Sequence, residues 1–367
     1  MNKEEARFLA RLVHGGFVPE AELREALGNR REGEAGPEAL PDLLARHGLM
    51  ERNEAQRLLE SGVGEHPRLR RYELGPLLGE GRQARIFEAR DLRDGKKYAL
   101  KILREEQARD PEKLARFLEE GKALCTLHCQ GLVRAHRLAK DQGTYFVVLD
   151  LLEGRDLLEE LRERGRLPEE EALAIVHSVA RTLCALRREG MIHRDIKPSN
   201  IHLLREGGTA LLDLGFAVQE GSLGDSETTV GTLAYIAPEQ AEGRGDLDGR
   251  ADIYALGATL YHLAVGEPPF AGEDEQELLL RQIQQPLDSS KIRDLDLSPT
   301  LHYFIEKMMA KDREIRYPDP EALVRDLEEK AGPFEPPRPR GNDRRTRSGG
   351  ETKRPTELRR RRRRRRR

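Results

Sequence analysis

His193-Arg194-Asp195-Ile196-Lys197-Pro198-Ser199-Asn200 is the stretch on which the fold of this 367-residue chain turns. A His-Arg-Asp triplet by itself is compatible with a surface loop, so its meaning depends on what stands before and after it. Upstream, from Leu69, short β-like runs at 72–78, 84–91, 97–103 and 145–152 are separated by turn residues, with one helix over about 111–126 between them. Downstream of Gly154 the pattern is mainly helical to about Glu329. A small sheet-rich half followed by a larger helical half is an α+β arrangement.

Within the sheet-rich half, Leu78-Gly79-Glu80-Gly81-Arg82-Gln83-Ala84-Arg85-Ile86 lies between two expected strands. Glycines there let backbone N–H groups approach phosphate oxygens without an intervening side chain. Next, Tyr98-Ala99-Leu100-Lys101-Ile102-Leu103 sets one lysine inside an apolar strand. An inward lysine is costly unless paired, so Lys101 calls for an anion, met by a phosphate and a carboxylate. On the following helix Leu114, Phe117, Leu118, Gly121, Leu124 and Cys125 form the apolar stripe. Glu120 flanks that stripe and is the expected partner of Lys101, whereas Glu119 points outward. Phosphoryl transfer needs a phosphate cradle, divalent-metal ligands, a base beside the incoming hydroxyl and neutralising cations, and each has a candidate here.

With these pieces in order, residues 68–330 resemble the eukaryotic-like, bacterial-type protein serine/threonine kinases. The resemblance implies a bilobal fold, with a β-rich N-lobe at 67–150 and a helical C-lobe at 154–332. It implies ATP and Mg²⁺ as cofactors, and Ser/Thr hydroxyls of proteins as acceptors. Asp195 then takes the acceptor's proton, Lys197 contacts the transferred phosphate, and Asn200 binds metal. Asp213-Leu214-Gly215 stands where the family has Asp-Phe-Gly, making Asp213 a second metal ligand. Ala237-Pro238-Glu239 matches the Ala-Pro-Glu motif, with Glu239 expected to pair with Arg316, and Asp252 is expected to brace the catalytic-loop backbone. Leu78, Gly79, Gly81, Ile86, Ala99 and Lys101 would line the nucleotide site, with Leu149 at its back. The hinge falls at Asp150, Leu151 and Leu152. His202 would lie beneath the adenine, where relatives carry an aliphatic side chain, and Ala84 replaces the third glycine of the cradle.

Lys197 and Gly231-Thr232-Leu233-Ala234-Tyr235 resemble the serine/threonine branch, with Thr232 bonding Asp195 and Lys197. Arg194, directly before the base, implies a switch in which it holds a phosphorylated residue. Thr228 and Thr229 are the expected autophosphorylation sites, with Ser222 and Ser226 behind them. The alternative function is a pseudokinase or scaffold. Lys101, Glu120, Asp195, Asn200 and Asp213 are all present, which favours the enzyme.

Around this core lie two further units. Residues 1–66 read as a helical interaction module, in which 12–27 and 44–59 resemble each other at an offset of 32. The module is faintly similar to the N-terminal repeats of type II secretion ATPases, and a protein partner is expected for it. Residues 333–367 carry 16 Lys/Arg against 4 Asp/Glu, while the remainder carries 48 against 62. A mildly acidic body is thus followed by a basic tail, expected to be disordered, that ends in arginines at 359–367. Such a run suits polyanions, whether nucleic acid or an anionic membrane surface. No apolar run is long enough for a transmembrane helix, and Met1-Asn2-Lys3-Glu4-Glu5 lacks the layout of a secretory signal. Three cysteines, Cys125, Cys129 and Cys184, fit reduced thiols and a cytoplasmic location.

Overall fold

The computed structural model describes residues 69–212, 218–219, 233–272 and 274–339, together with 5, 9, 12–13, 18–29, 32–33, 36–37, 39–52, 55 and 67. In the N-terminal part, helices α1 (Glu20–Gly28) and α2 (Leu40–Arg46) follow the expected helical reading. Leu12, Val18 and Leu23 from the first similar stretch share one buried cluster with Leu44 and Ala55 from the second. Between the helices, Glu32–Gly33 pairs with Gly36–Pro37 in a short antiparallel ladder that an all-helical reading did not contain.

The next unit is a five-stranded antiparallel sheet. Its strands are β1 (Tyr72–Glu80), β2 (Ala84–Asp91), β3 (Lys97–Leu103), β4 (Ala135–Asp141) and β5 (Thr144–Asp150), in the order β1-β2-β3-β5-β4. Alternation along the strands separates two faces. Phe87, Leu100, Ile102, Phe146 and Val148 pack with Leu69 and Tyr72 in one cluster. Ala84, Ala99, Val147 and Leu149 belong to the main core, which also holds Phe117 and Leu124 of helix α3 (Pro111–Thr126). Asp110 caps α3 by accepting from the backbone N–H groups of Glu112 and Lys113, and Pro111 occupies its first turn.

Strand β4 was absent from the expected set. Its sequence, Ala-His-Arg-Leu-Ala-Lys-Asp, has no β-branched residue and no Phe, Tyr or Trp. It becomes a strand through its partner: Asp141 faces Thr144 across a two-residue loop in which Gln142 (φ 48°) and Gly143 (φ 85°) both have positive φ, as tight hairpins require.

The helical half comprises α4 (Leu157–Arg164), α5 (Glu169–Arg188), α6 (Arg250–Val265), α7 (Glu275–Gln284), α8 (Pro299–Met308) and α9 (Pro320–Ala331). Every residue of α6 from Ala251 to Ala264 is buried, so this helix is the axis of the lobe, with α5 and α8 packed on it. A small sheet of β6 (Gly154–Asp156), β7 (Ile201–Leu204) and β8 (Thr209–Leu211), in the order β8-β7-β6, carries the end of the catalytic loop. The body also continues past 332, where composition had placed the start of the tail. Phe334 stacks on His177 of α5 with ring centroids 4.6 Å apart, and the Gly208 N–H donates to the Pro337 carbonyl at 2.7 Å. One aromatic ring and a buried proline suffice to dock a segment whose Pro and Arg content reads as disordered.

Candidate active site

Strand register assembles the upper half of the site. Gly79 pairs with Ile86, Ile86 with Lys101 and Lys101 with Val147, so the four lie in one row across the sheet; Ala99 pairs with Leu149 one step along. Neither Gly79 nor Gly81 has positive φ. A methyl group at Gly79 would meet nothing nearer than Ile86 Cδ1 at 3.9 Å, and at Gly81 only the Ala84 carbonyl at 3.4 Å. The chain's own packing therefore does not demand these glycines, whereas close approach of a phosphate to the backbone would. Beside them Leu78 is exposed, and Ile86 is half-buried at the edge of the core. At the hinge, the Asp150 N–H donates to the Arg134 carbonyl and its carboxylate bonds His136 Nε2 at 2.6 Å. Leu152 forms no backbone hydrogen bond with another described residue, which leaves its peptide groups available to a planar base.

Lys101 Nζ donates to Glu120 Oε1 at 2.7 Å, with the two side chains 7% and 11% exposed. Glu119 is exposed. Helix α3 reaches this position because Gly121 lets it sit close on the sheet: a Cβ there would lie 2.9 Å from Leu138 Cδ1 and 3.0 Å from Val147 Cγ2. Such a buried pair adds little net stability, since desolvation offsets attraction, but it fixes a cation at one point in the cleft.

The lower half is the catalytic loop. Asp252 near the start of α6 is buried, and its two oxygens accept from the backbone N–H groups of His193 (2.8 Å) and Arg194 (2.7 Å). Burial raises the Asp252 pKa, while the His193 charge and those two N–H groups oppose the rise. The brace holds Arg194 at φ 66°, a left-handed conformation costing a non-glycine residue roughly 1–2 kcal/mol. Arg194 is itself buried, and that burial lowers its pKa. Asp195 follows, and its two oxygens differ. Oδ2 accepts from Lys197 Nζ at 2.9 Å and Asn200 Nδ2 at 2.7 Å; Oδ1 is buried with no hydrogen-bond partner among the described residues. Asn200 Nδ2 also donates to the Asp195 carbonyl at 2.8 Å, so its amide oxygen is left as an acceptor and suits a hard cation. His202, on β7, stands opposite Asp156, with its Nε2 buried, without a partner among the described residues, and close beneath Gly154 after the hinge. Burial lowers its pKa, which favours a neutral ring.

Behind the loop a second buried pair anchors the floor. Arg316 uses all five N–H donors: Nη1 and Nη2 reach the two Glu239 oxygens at 2.6 and 2.8 Å, and the rest reach the carbonyls of Ala310, Arg250 and Lys311. Asp213, Thr228, Thr229, Thr232, Ser222 and Ser226 lie outside the described residues, as does the arginine run at 359–367.

Sequence reasoning missed several residues. Gln240 accepts from the Ala237 N–H and donates to the Arg194 carbonyl at 3.2 Å, tying the floor to the catalytic loop. The Tyr235 hydroxyl bonds Nδ1 of buried His262 at 2.6 Å, and Gln282 and Lys311 stand beneath Leu233. No local pattern distinguishes these polar side chains from surface ones; only packing does. The thiols Cys125, Cys129 and Cys184 are free, and burial pushes Cys129 and Cys184 up to about 11, so both stay protonated near neutral pH.

His262 yields a pH prediction. Burial lowers its pKa to about 4, against about 6.5 in an unfolded chain. The folded state favours the neutral ring, so the associated stability is complete above pH 6.5 and is lost as pH falls through 4. The loss is on the order of 3 kcal/mol. Unfolding titrations between pH 7 and 4 are expected to show a steeper acid loss in the wild type than in His262→Gln. Parallel curves would refute the assignment.

Comparison with known proteins agrees with this geometry. The model of the protein kinase domain matches residues 72–326. A probable serine/threonine-protein kinase of Streptomyces coelicolor is 32% identical over 266 residues, covering 70% of this chain and 39% of that protein. Serine/threonine-protein kinase PknB of Mycolicibacterium smegmatis is 31% identical over 266 residues, covering 70% and 42%. The chain thus spans about two fifths of the length of these relatives. No helix among the described residues is long and apolar enough to cross a membrane.

Proposed function

This chain belongs to the protein kinase domain family, and from that premise we propose that it transfers the γ-phosphate of ATP to Ser or Thr hydroxyls of proteins. The observation that carries this reading is Asp195: a buried carboxylate with one oxygen held by Lys197 and Asn200 and the other without a partner among the described residues. In the proposed reaction the acceptor hydroxyl lies against Oδ1 and gives up its proton there as its oxygen bonds to the γ-phosphorus. The bond to the bridging oxygen breaks, and ADP leaves with the electron pair. Lys197 and Lys101 neutralise charge on the phosphates, and Glu120 keeps Lys101 in place. Asn200 and Asp213 would hold Mg²⁺, which when bound offsets the negative charge of the phosphates. Gly79 and Gly81 would bring backbone N–H groups to the phosphates. Leu78, Ile86, Ala99, Leu152 and His202 would enclose the adenine, with the Asp150 and Leu152 peptide groups at its edge.

The Ser/Thr preference rests on Lys197, and the matched relatives carry serine/threonine-protein kinase in their names. The test is incorporation of label from γ-labelled ATP with Mg²⁺, comparing wild type with Asp195→Asn. Regulation is proposed to run through Arg194 and a phosphate on Thr228 or Thr229. Mass spectrometry of the active protein is expected to find one of these modified, and active protein bearing neither would overturn the switch. The N-terminal helical unit is proposed to bind a protein partner, and the terminal arginines a polyanion.

A further inference from the structure

Beneath the catalytic floor lies a buried polar chain that the proposed chemistry does not use. Gln282, on α7, has no exposed surface. Its Nε2 donates to the Leu233 carbonyl at 2.9 Å, and its Oε1 accepts from the Tyr254 hydroxyl at 2.7 Å. Tyr254, also fully buried on α6, accepts from Lys311 Nζ at 3.0 Å, and Lys311 donates in addition to the Gln282 carbonyl at 2.5 Å. The Lys311 ammonium lies 4.2 Å from the Phe270 ring centroid, and its carbonyl accepts from Arg316. Side chains from α6 and the loop after α8 thus back Gln282 of α7, which alone of the three reaches the Leu233 carbonyl.

That oxygen is at a telling place. Leu233 opens segment 233–237, whose far end is tied by Gln240 to the carbonyl of Arg194, the residue before Asp195. Segment 233–237 therefore runs between the Gln282 amide and the backbone of the loop that carries Asp195. A glutamine clamps each end: Gln240 from the loop side and Gln282 from below. If packing alone were required at 282, leucine would fill a similar volume without burying an amide. Both ends of the Gln282 amide are instead satisfied, and the donor end terminates on segment 233–237.

We propose that Gln282, backed by Tyr254 and Lys311, is a positioning residue for the protein acceptor: it sets the height of segment 233–237 against Asp195. This rests on the kinase reading above. The donating N–H is the functional part, because it faces Leu233, while the accepting oxygen only ties Gln282 to the core.

Gln282→Glu separates the two. The carboxylate keeps the bond from Tyr254, and Lys311 still donates to the main-chain carbonyl of residue 282, but the second oxygen now faces the Leu233 carbonyl and displaces the segment. With dephosphorylated casein as acceptor, Gln282→Glu is expected to raise the acceptor KM about tenfold, the loss of one hydrogen bond. The ATP KM stays at the wild-type value, while the Tm falls because a carboxylate is buried against a carbonyl. Gln282→Leu, which removes donor and acceptor together, is expected to show the same acceptor-specific rise. Acceptor KM values within twofold of wild type in both variants would overturn the proposal and leave the kinase reading intact. Equal rises in both KM values alongside a lowered Tm would reduce Gln282 to a packing residue and also overturn it. A wild type that incorporates no label would sink the kinase reading, and this proposal with it.

Discussion

Asparagine at position 195 is expected to lower phosphate incorporation by roughly 10²- to 10⁴-fold, the range that a positioned general base supplies. The substitution is nearly isosteric, so the loop keeps its shape: Asp252 still braces the N–H groups of His193 and Arg194, and Asn200 still reaches the Asp195 carbonyl. What disappears is the acceptor oxygen Oδ1, a buried carboxylate oxygen with no partner among the described residues. The ATP KM is expected to change little, since the row Gly79, Ile86, Lys101 and Val147 belongs to the sheet and does not touch residue 195. Stability should change little, because loss of the ion pair with Lys197 is offset by removal of a buried charge whose second oxygen has no partner among the described residues. Initial rates with γ-labelled ATP, together with a melting curve, test all three outcomes. Equal incorporation by both proteins would refute the assignment of the base, and a collapse of Tm would recast Asp195 as structural.

Much of this site was legible in the sequence, for reasons that can be named. Helix periodicity separated Glu120 from Glu119, because one residue along α3 is a rotation of about 100° and only one of the two faces the cleft. The cost of an unpaired inward lysine pointed Lys101 toward a carboxylate before any contact was known. Strand β4 was illegible because its stability lies in its hairpin partner and not in its composition. Segment 333–339 was illegible because one phenylalanine decides its docking against a Pro- and Arg-rich background. Gln240, Gln282 and His262 were illegible for another reason: a polar side chain on a helix reads as solvent-facing unless its surroundings are known, and these surroundings come from residues 27 to 49 positions away. Long-range polar satisfaction leaves no periodic trace.

The largest effect on stability is expected at Arg316, where alanine should cost about 3–5 kcal/mol, the usual result of breaking one side of a buried pair. Arg316 and Glu239 are 3% and 4% exposed, and the guanidinium has no idle donor. Truncation strands the Glu239 carboxylate and removes the Arg316 bonds to the carbonyls of Ala310, Arg250 and Lys311. It also removes the cation 4.9 Å from the Tyr254 ring centroid. Against a typical total of 5–15 kcal/mol, a loss of this size leaves the helical lobe marginal at body temperature. Arg244→Ala is the informative control. Its ion pair with Asp246 spans side chains 45% and 55% exposed, where water and salt screen the attraction, so its loss should leave stability almost unchanged. Glu239→Gln tests the charge separately from the shape: it retains an acceptor for one Arg316 N–H yet leaves the guanidinium buried without a counter-charge. A urea-midpoint series over the three variants orders them Arg316→Ala, then Glu239→Gln, then Arg244→Ala, from most to least destabilised. If Arg316→Ala falls within 1 kcal/mol of the wild type, the floor beneath segment 233–237 is held by apolar packing alone. The polar anchor that links Glu239 to the catalytic loop through Gln240 would then have no energetic weight.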